Sequence, residues 1–210
     1  MVKWLGCLGV VVVIALIVGV MLFGTYNNLV GLGQAVDAQW SQVENQYQRR
    51  ADLIPNLVAT VKGAADFEKS TLEEVVKARA SVGQVNMGNL PNDPAAFARF
   101  QQAQDSLSSA LSRLMVVVER YPELKANQNF RDLQVQLEGT ENRVSVERMR
   151  YNEKALDYNT ARLRFPAVLV ARLMGFGEKV YFKAVAGSDQ APAVNFNFSA
   201  TPAPAPAESR

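Results

Sequence analysis

From position 5 to position 23 the chain (LGCLGVVVVIALIVGVMLF) carries no charged or strongly polar side chain. As a helix this run rises roughly 28 Å, close to the ~30 Å hydrocarbon core of a bilayer. It predicts a retained transmembrane helix. A cleaved leader has a shorter apolar region, about 7–15 residues, and the end of this run offers no small-x-small cleavage pattern. Trp4 and Tyr26 bracket it and suit the two membrane interfaces. Cys7 follows Leu-Gly in the manner of a lipoprotein signal, but too few residues precede it, so it reads as an apolar thiol inside the anchor, with reversible acylation as the other reading.

Beyond the anchor, apolar positions recur alternately three and four residues apart, the spacing of a helix seam. The first stripe is Leu29, Leu32, Val36, Trp40, Val43, Tyr47, Arg50, Ile54, Leu57 and Val61. It begins directly after the apolar run, so the anchor helix is expected to continue into the domain. Pro55 lacks an N–H and its ring crowds the carbonyl of Ala51, which predicts a first helix ending near Leu53 and a second from Pro55 to about Val82. A single kinked helix is the competing reading. Residues 83–92 (GQVNMGNLPN) read as a loop, and Asp93 with Pro94 as the start of a third helix reaching Tyr121. A fourth helix runs from about Asn127 to Arg164, with a seven-residue ladder of Phe130, Leu137, Val144, Tyr151, Tyr158 and Phe165. Its companion row is Leu133, Thr140, Glu147 and Lys154, and Gly139 within it is read as a point of close helix approach. Pro166 allows a short terminal helix through Met174, closed by Gly175. The expected fold is all-α: an antiparallel four-helix bundle following a single N-terminal transmembrane helix. The expected domains are an anchor at 1–25, a bundle at 26–185 and a disordered Pro/Ala-rich tail at 186–210. Residues 180–185 (VYFKAV) are β-prone but alone, and cannot form a sheet by themselves.

Several blocks resemble the LemA family: YNNLV at 26–30, WSQVENQYQRRADLIPNLV at 40–58, ERYPELKAN at 119–127 and LEGTENRV at 137–144. The closing blocks are Tyr151-Asn152, Tyr158-Asn159, Arg164-Phe165-Pro166, Gly175-Phe176 and Tyr181-Phe182. The resemblance covers about 24–198. It implies a membrane-anchored helical bundle of largely bacterial occurrence, and it carries no activity with it. The Pro/Ala tail goes beyond the family pattern.

Charge narrows the function. With 22 basic and 20 acidic side chains there is no clustered basic excess for nucleic acid. The absence of histidine removes Ser-His and Cys-His nucleophile pairs and His-ligated metals. The carboxylate pairs Glu138/Glu141 and Glu73/Glu74 read as solvated helix surface. No catalytic, cofactor-binding or metal-ligating residues are expected. Lys3 precedes the anchor and no Lys or Arg follows it until Arg49, a bias that favours a cytoplasmic N-terminus and an extracytoplasmic bundle.

The anomaly is charge on the seam. Arg50, Glu68, Arg79, Glu147 and Lys154 fall at interior positions, where unpaired charge costs several kcal/mol, roughly. They are expected to form interhelical ion pairs, Arg50 and Arg79 against Glu68 and Glu147, with Lys154 near a carbonyl or the bundle end. Tyr151 and Tyr158 read as core aromatics with solvated hydroxyls. In the tail, Val194, Phe196 and Phe198 are candidates for docking on the bundle or a partner. The expected function is a non-enzymatic scaffold or interaction module, contacting the bilayer through residues 5–23 and a protein partner or copies of itself. The alternative is a small-ligand sensor or enzyme with a buried Arg/Glu pocket.

Overall fold

The structure, a computed structural model, describes residues 2–63, 68–85, 88 and 90–183, with side chains from residue 9 onward. All regular structure among them is helical: α1 (Val2–Lys62), α2 (Lys69–Gly83), a 3₁₀ turn (Leu90–Asn92), α3 (Pro94–Val118), α4 (Pro122–Ala126), α5 (Gln128–Leu163) and α6 (Ala167–Met174). The tail candidates Val194, Phe196 and Phe198, and the whole of 186–210, lie outside the described residues.

The expected break at Pro55 does not occur. α1 is one helix of 61 residues with Pro55 inside it, and the chain leaves it only at Gly63. Proline in a helix interior orphans the carbonyl four residues back. Here that carbonyl, of Ala51, accepts from Arg79 Nε at 3.0 Å. Ile54, Leu57 and Val61 are buried on either side of the proline and keep the helix packed through it, which is the single-helix reading. At its other end α1 is apolar and uncovered, with Val20 74% and Phe23 69% exposed. Among the described residues it is the one helix long and apolar enough to cross a membrane, by length and composition.

α1 runs antiparallel to α5. Gly33 faces the Tyr158 ring, Gln39 bonds Glu147 and Arg50 bonds Glu141, so one number falls as the other rises. α2 and α3 show the same sense, with Glu74 paired to Arg113 and Glu68 to Arg120. The α1 seam from Leu29 to Val61 is buried as its spacing predicts, with Leu32 half-buried. Two apolar clusters result. One, far from the apolar end of α1, joins Ile54, Leu57, Leu72, Leu114, Phe130 and their neighbours. The other joins Val36, Trp40, Phe97, Phe100, Tyr151 and Phe182.

Local signals set the ends. Asp93 accepts from the backbone N–H groups of Ala95 and Ala96, with Pro94 in the first turn. Asn127 accepts from the N–H of Phe130. α3 stops at Val118 rather than Tyr121, and Leu124 of α4 is buried in the far cluster.

The ladder on α5 is buried from Phe130 to Tyr158 but ends there. Phe165 is 81% exposed, because α5 stops at Leu163 and Arg164 is extended. The companion row fails sooner. Thr140 is buried, Glu147 is partly covered, and Lys154 is exposed while Ala155 is buried in its place. A straight helix drifts by ~20° per heptad, so a strict seven-residue row walks off the seam. Gly139 also departs from expectation: a Cβ there would meet open space, whereas one on Gly33 would lie 3.6 Å from the Tyr158 ring. The described part of the β-prone segment, 180–183, is extended but belongs to no sheet.

Candidate functional site

Between the two clusters the seam turns polar on three helices at once: Arg50 on α1, Gln104 on α3 and Thr140 on α5, all buried. The neighbours along each helix belong to opposite clusters, Tyr47 and Ile54, Phe100 and Leu107, Val144 and Leu137. Arg50 donates to Gln104 Oε1, to Ser108 Oγ at 3.0 Å and to Glu141 Oε2 at 2.6 Å. Its guanidinium also lies 5.3 Å from the Tyr47 ring centroid. A buried charge with this many directed partners is tolerated, and a one-turn slip of any helix would strand it. The layer therefore acts on register.

The other seam charges do not join it. Glu68 pairs with Arg120 at 2.8 Å and accepts from Thr71. Arg79 is exposed and serves the Ala51 carbonyl, while half-buried Ala78 takes the seam position. Glu147 accepts from Gln39 at 2.6 Å and pairs with Arg150 at 2.8 Å. Lys154 reaches Asp157 at 3.8 Å on the surface. The expected balance of two arginines against Glu68 and Glu147 is thus replaced by Arg50 with Glu141, a residue read from the sequence as solvated surface.

A second constellation lies beside the Trp40 cluster. After α6 the chain turns back and runs extended over α5 through residues 176–183. Asn159 Nδ2 donates to the Lys179 carbonyl at 2.8 Å while the Lys179 N–H donates to Asn159 Oδ1 at 3.0 Å. Asn152 makes the same pair with Phe182, at 3.0 and 2.9 Å. Seven helical residues rise about 10.5 Å and three extended ones about 10 Å, so the two amides meet backbone groups in step. Tyr151 and Tyr158, one residue earlier in each repeat, donate their hydroxyls to the carbonyls of Val180 at 2.8 Å and Gly177 at 3.0 Å. These hydroxyls are bonded to backbone rather than solvated. Phe182 is thereby seated 5.9 Å from Trp40 and 4.7 Å from Phe97 between ring centroids, with the Arg148 guanidinium 4.5 Å from its own ring. The sequence signal was the Tyr-Asn pair repeated at seven, which fits an extended partner rather than another helix.

Burial pushes the phenols of Tyr47, Tyr151 and Tyr158 above the usual tyrosine value. Asp37 adds to the effect at Tyr151, and Arg148 and Arg50 oppose it at Tyr47. The two α5 phenols bonded to the extended segment, Tyr151 and Tyr158, therefore stay neutral donors. Lys179, also missed by sequence reasoning, is buried and bonds Asp37 at 2.7 Å. A cavity of about 680 Å³ opens here, lined by Gln34, Asp37, Tyr158, Gly177 and Lys179 among others. Its amine and its phenol are already engaged. Among the described residues no group of three or more Cys, Asp or Glu is placed to hold a metal ion.

The LemA family model matches residues 39–196. Similar relatives are magnetosome protein MamQ of Magnetospirillum gryphiswaldense and magnetosome proteins MamQ 1 and MamQ 2 of Paramagnetospirillum magneticum. Each is 26% identical over 181 residues, covering 78% of this chain and 66% of the relative. The chain thus spans just under two thirds of the length of these relatives.

Proposed function

Since this chain belongs to the LemA family, we propose that it is a single-pass membrane protein whose anchor continues into an antiparallel four-helix bundle. The bundle works as a non-enzymatic scaffold or protein-interaction module at the bacterial cell envelope. The observation that carries this reading is the continuity of α1, which holds both the uncovered apolar stretch and the buried seam in one helix from Val2 to Lys62. At ~1.5 Å per residue that is a rod of roughly 90 Å. A domain built on such a rod keeps a restricted angle to the bilayer, which suits lateral assembly with copies of itself or a partner.

The alternative of a sensor or enzyme with an Arg/Glu pocket has less support. Arg50 is 2% exposed and closed in by Gln104, Ser108 and Tyr47, and the other expected members of the pocket lie elsewhere. The bundle is proposed to face away from the cytoplasm, on the bias of Lys3. A membrane-impermeant maleimide applied to intact cells should label Ser106→Cys in a Cys7→Ser background; protection until lysis would reverse the orientation. For the scaffold role, a photocrosslinker at exposed Ser109 in native membranes should give a discrete adduct with a second copy or a defined partner. Monomer alone, at several positions on α3, would overturn it.

A further inference from the structure

α6 packs its Ala167, Val170 and Ala171 face against Leu29 of α1. Its other face is apolar and uncovered: Leu169 is 55%, Leu173 82% and Met174 60% exposed, and Phe165 in the preceding turn 81%. Contiguous apolar patches of this kind on a folded protein mark an interaction site. Two observations say what covers this one. The first is level. A groove of about 620 Å³ is bounded by Leu169 and Leu173 on α6 and by Gly19, Leu22, Phe23 and Tyr26 on α1. Gly19, Leu22 and Phe23 belong to the apolar run itself, so α6 stands beside the last turn and a half of the membrane-spanning stretch. From Gly19 to Phe23 is roughly 6 Å along the axis, within the ~5–10 Å that interfacial helices sink below the headgroups.

The second is charge. α1 has no Asp or Glu before Asp37, and none occurs between Asp157 and Glu178. The same interval contains Arg162, Arg164 and Arg172. Arg162 is engaged by Glu178 at 3.6 Å, while Arg164 and Arg172 are exposed. An end of a domain with two exposed arginines, where Glu178 is already taken up by Arg162, fits anionic phosphates.

We propose that α6 and the turn before it form a second membrane contact. Phe165, Leu169, Leu173 and Met174 lie among the acyl chains at the surface of the leaflet that α1 leaves, and Arg164 and Arg172 engage its anionic headgroups. Attachment at two points fixes the rotation of the domain about α1, which a single helix cannot do. The inference rests on the reading of residues 5–23 as the anchor.

The test uses the full chain with Cys7→Ser in nanodiscs containing phosphatidylglycerol. Nitroxide labels are placed singly at Val13, Leu169, Leu173 and Ser106, and their collisions with oxygen and with a nickel chelate are measured. All four native side chains are exposed, and circular dichroism checks that each variant folds. Expected is a Val13 label deep in the bilayer, a Ser106 label in water, and Leu169 and Leu173 labels rich in oxygen contact and poor in nickel. Arg164→Gln with Arg172→Gln should raise the nickel contact of the Leu173 label. A Leu173 label as wet as that at Ser106, with Val13 still deep, overturns the inference alone. Shielding of Leu173 from both reagents also overturns it, in favour of a second copy if dipolar broadening between copies is seen and of another segment of protein if it is not. A wet Val13 label overturns the anchor reading itself.

Discussion

Replacing Asn159 with leucine removes an amide that stands in for a strand. Asn159 is 5% exposed, and it satisfies both the N–H and the carbonyl of Lys179, which are buried with it. Leucine has similar bulk but no polar atom, so one donor and one acceptor lose their partners. An unsatisfied buried group costs ~1–3 kcal/mol, and about 2–5 kcal/mol is expected for the two together, the lower end if the segment lifts to find water. The loss is local, because Lys179 remains tied to Asp37 and Phe182 to Asn152. Even 2 kcal/mol corresponds to about a thirtyfold gain in the exchange rate of an amide that opens locally. Hydrogen–deuterium exchange of the full chain in nanodiscs, read on peptides covering 176–183, measures it directly. Faster exchange should be confined to that segment and the facing turns of α5, with α2 and α3 unchanged. Exchange within about twofold of the native chain at Lys179 would refute the claim that the amide pairs hold the segment down.

Three further outcomes follow from other parts of the molecule. Arg50→Met should lower stability to denaturant by about 2–4 kcal/mol, less than the full cost of breaking a buried pair because Glu141 is half-exposed and turns to water, and adding Gln104→Leu should restore part of the loss. Arg79→Ala should cost ~0.5–1.5 kcal/mol in the native chain and almost nothing in a Pro55→Ala background, where the Ala51 carbonyl regains an intrahelical N–H; equal costs in both backgrounds would disprove the pairing. The raised phenols of Tyr47, Tyr151 and Tyr158 mean that the folded chain keeps protons the unfolded chain gives up, so their stabilisation is full below the ordinary tyrosine value of 10.0 and is lost as pH climbs through the folded values. Alkaline titration by phenolate absorbance and circular dichroism should show unfolding coupled to late ionisation, and Tyr151→Phe with Tyr158→Phe should flatten that dependence.

The α1 seam, the α5 ladder to Tyr158, the caps at Asp93 and Asn127 and the uncovered apolar run were all legible in the sequence, because each rests on the period or the ends of a single helix. On α5 the departures are also a matter of period. A strict seven-residue row drifts off the seam of α5, so Ala155 rather than Lys154 is buried, and Phe165 lies past the end of the helix. At Pro55 the local cost favours a break over the single helix, and the structure reverses that balance because a guanidinium from α2 meets the carbonyl the proline orphans.

What the sequence by itself determined is which face of α1 is apolar, that a long apolar run and a helical domain share the chain, and that Arg50 must find partners inside. Only the tertiary structure decided who those partners are. Glu141 and Glu147 lie less than two turns apart on α5, and Arg50 meets one rather than the other according to the axial register of helices joined through some ninety intervening positions. No periodicity within one helix encodes that offset; it is set by packing the large rings of the Trp40 cluster against Phe182 on one side of the polar layer and the aliphatic cluster on the other. The same holds at the apolar end of α1. Counted along the chain, charge near the apolar run is a matter of Lys3, but folding sets α6, the helix that carries Arg172, beside Leu22 and Phe23, where electrostatics acts through space rather than along the chain.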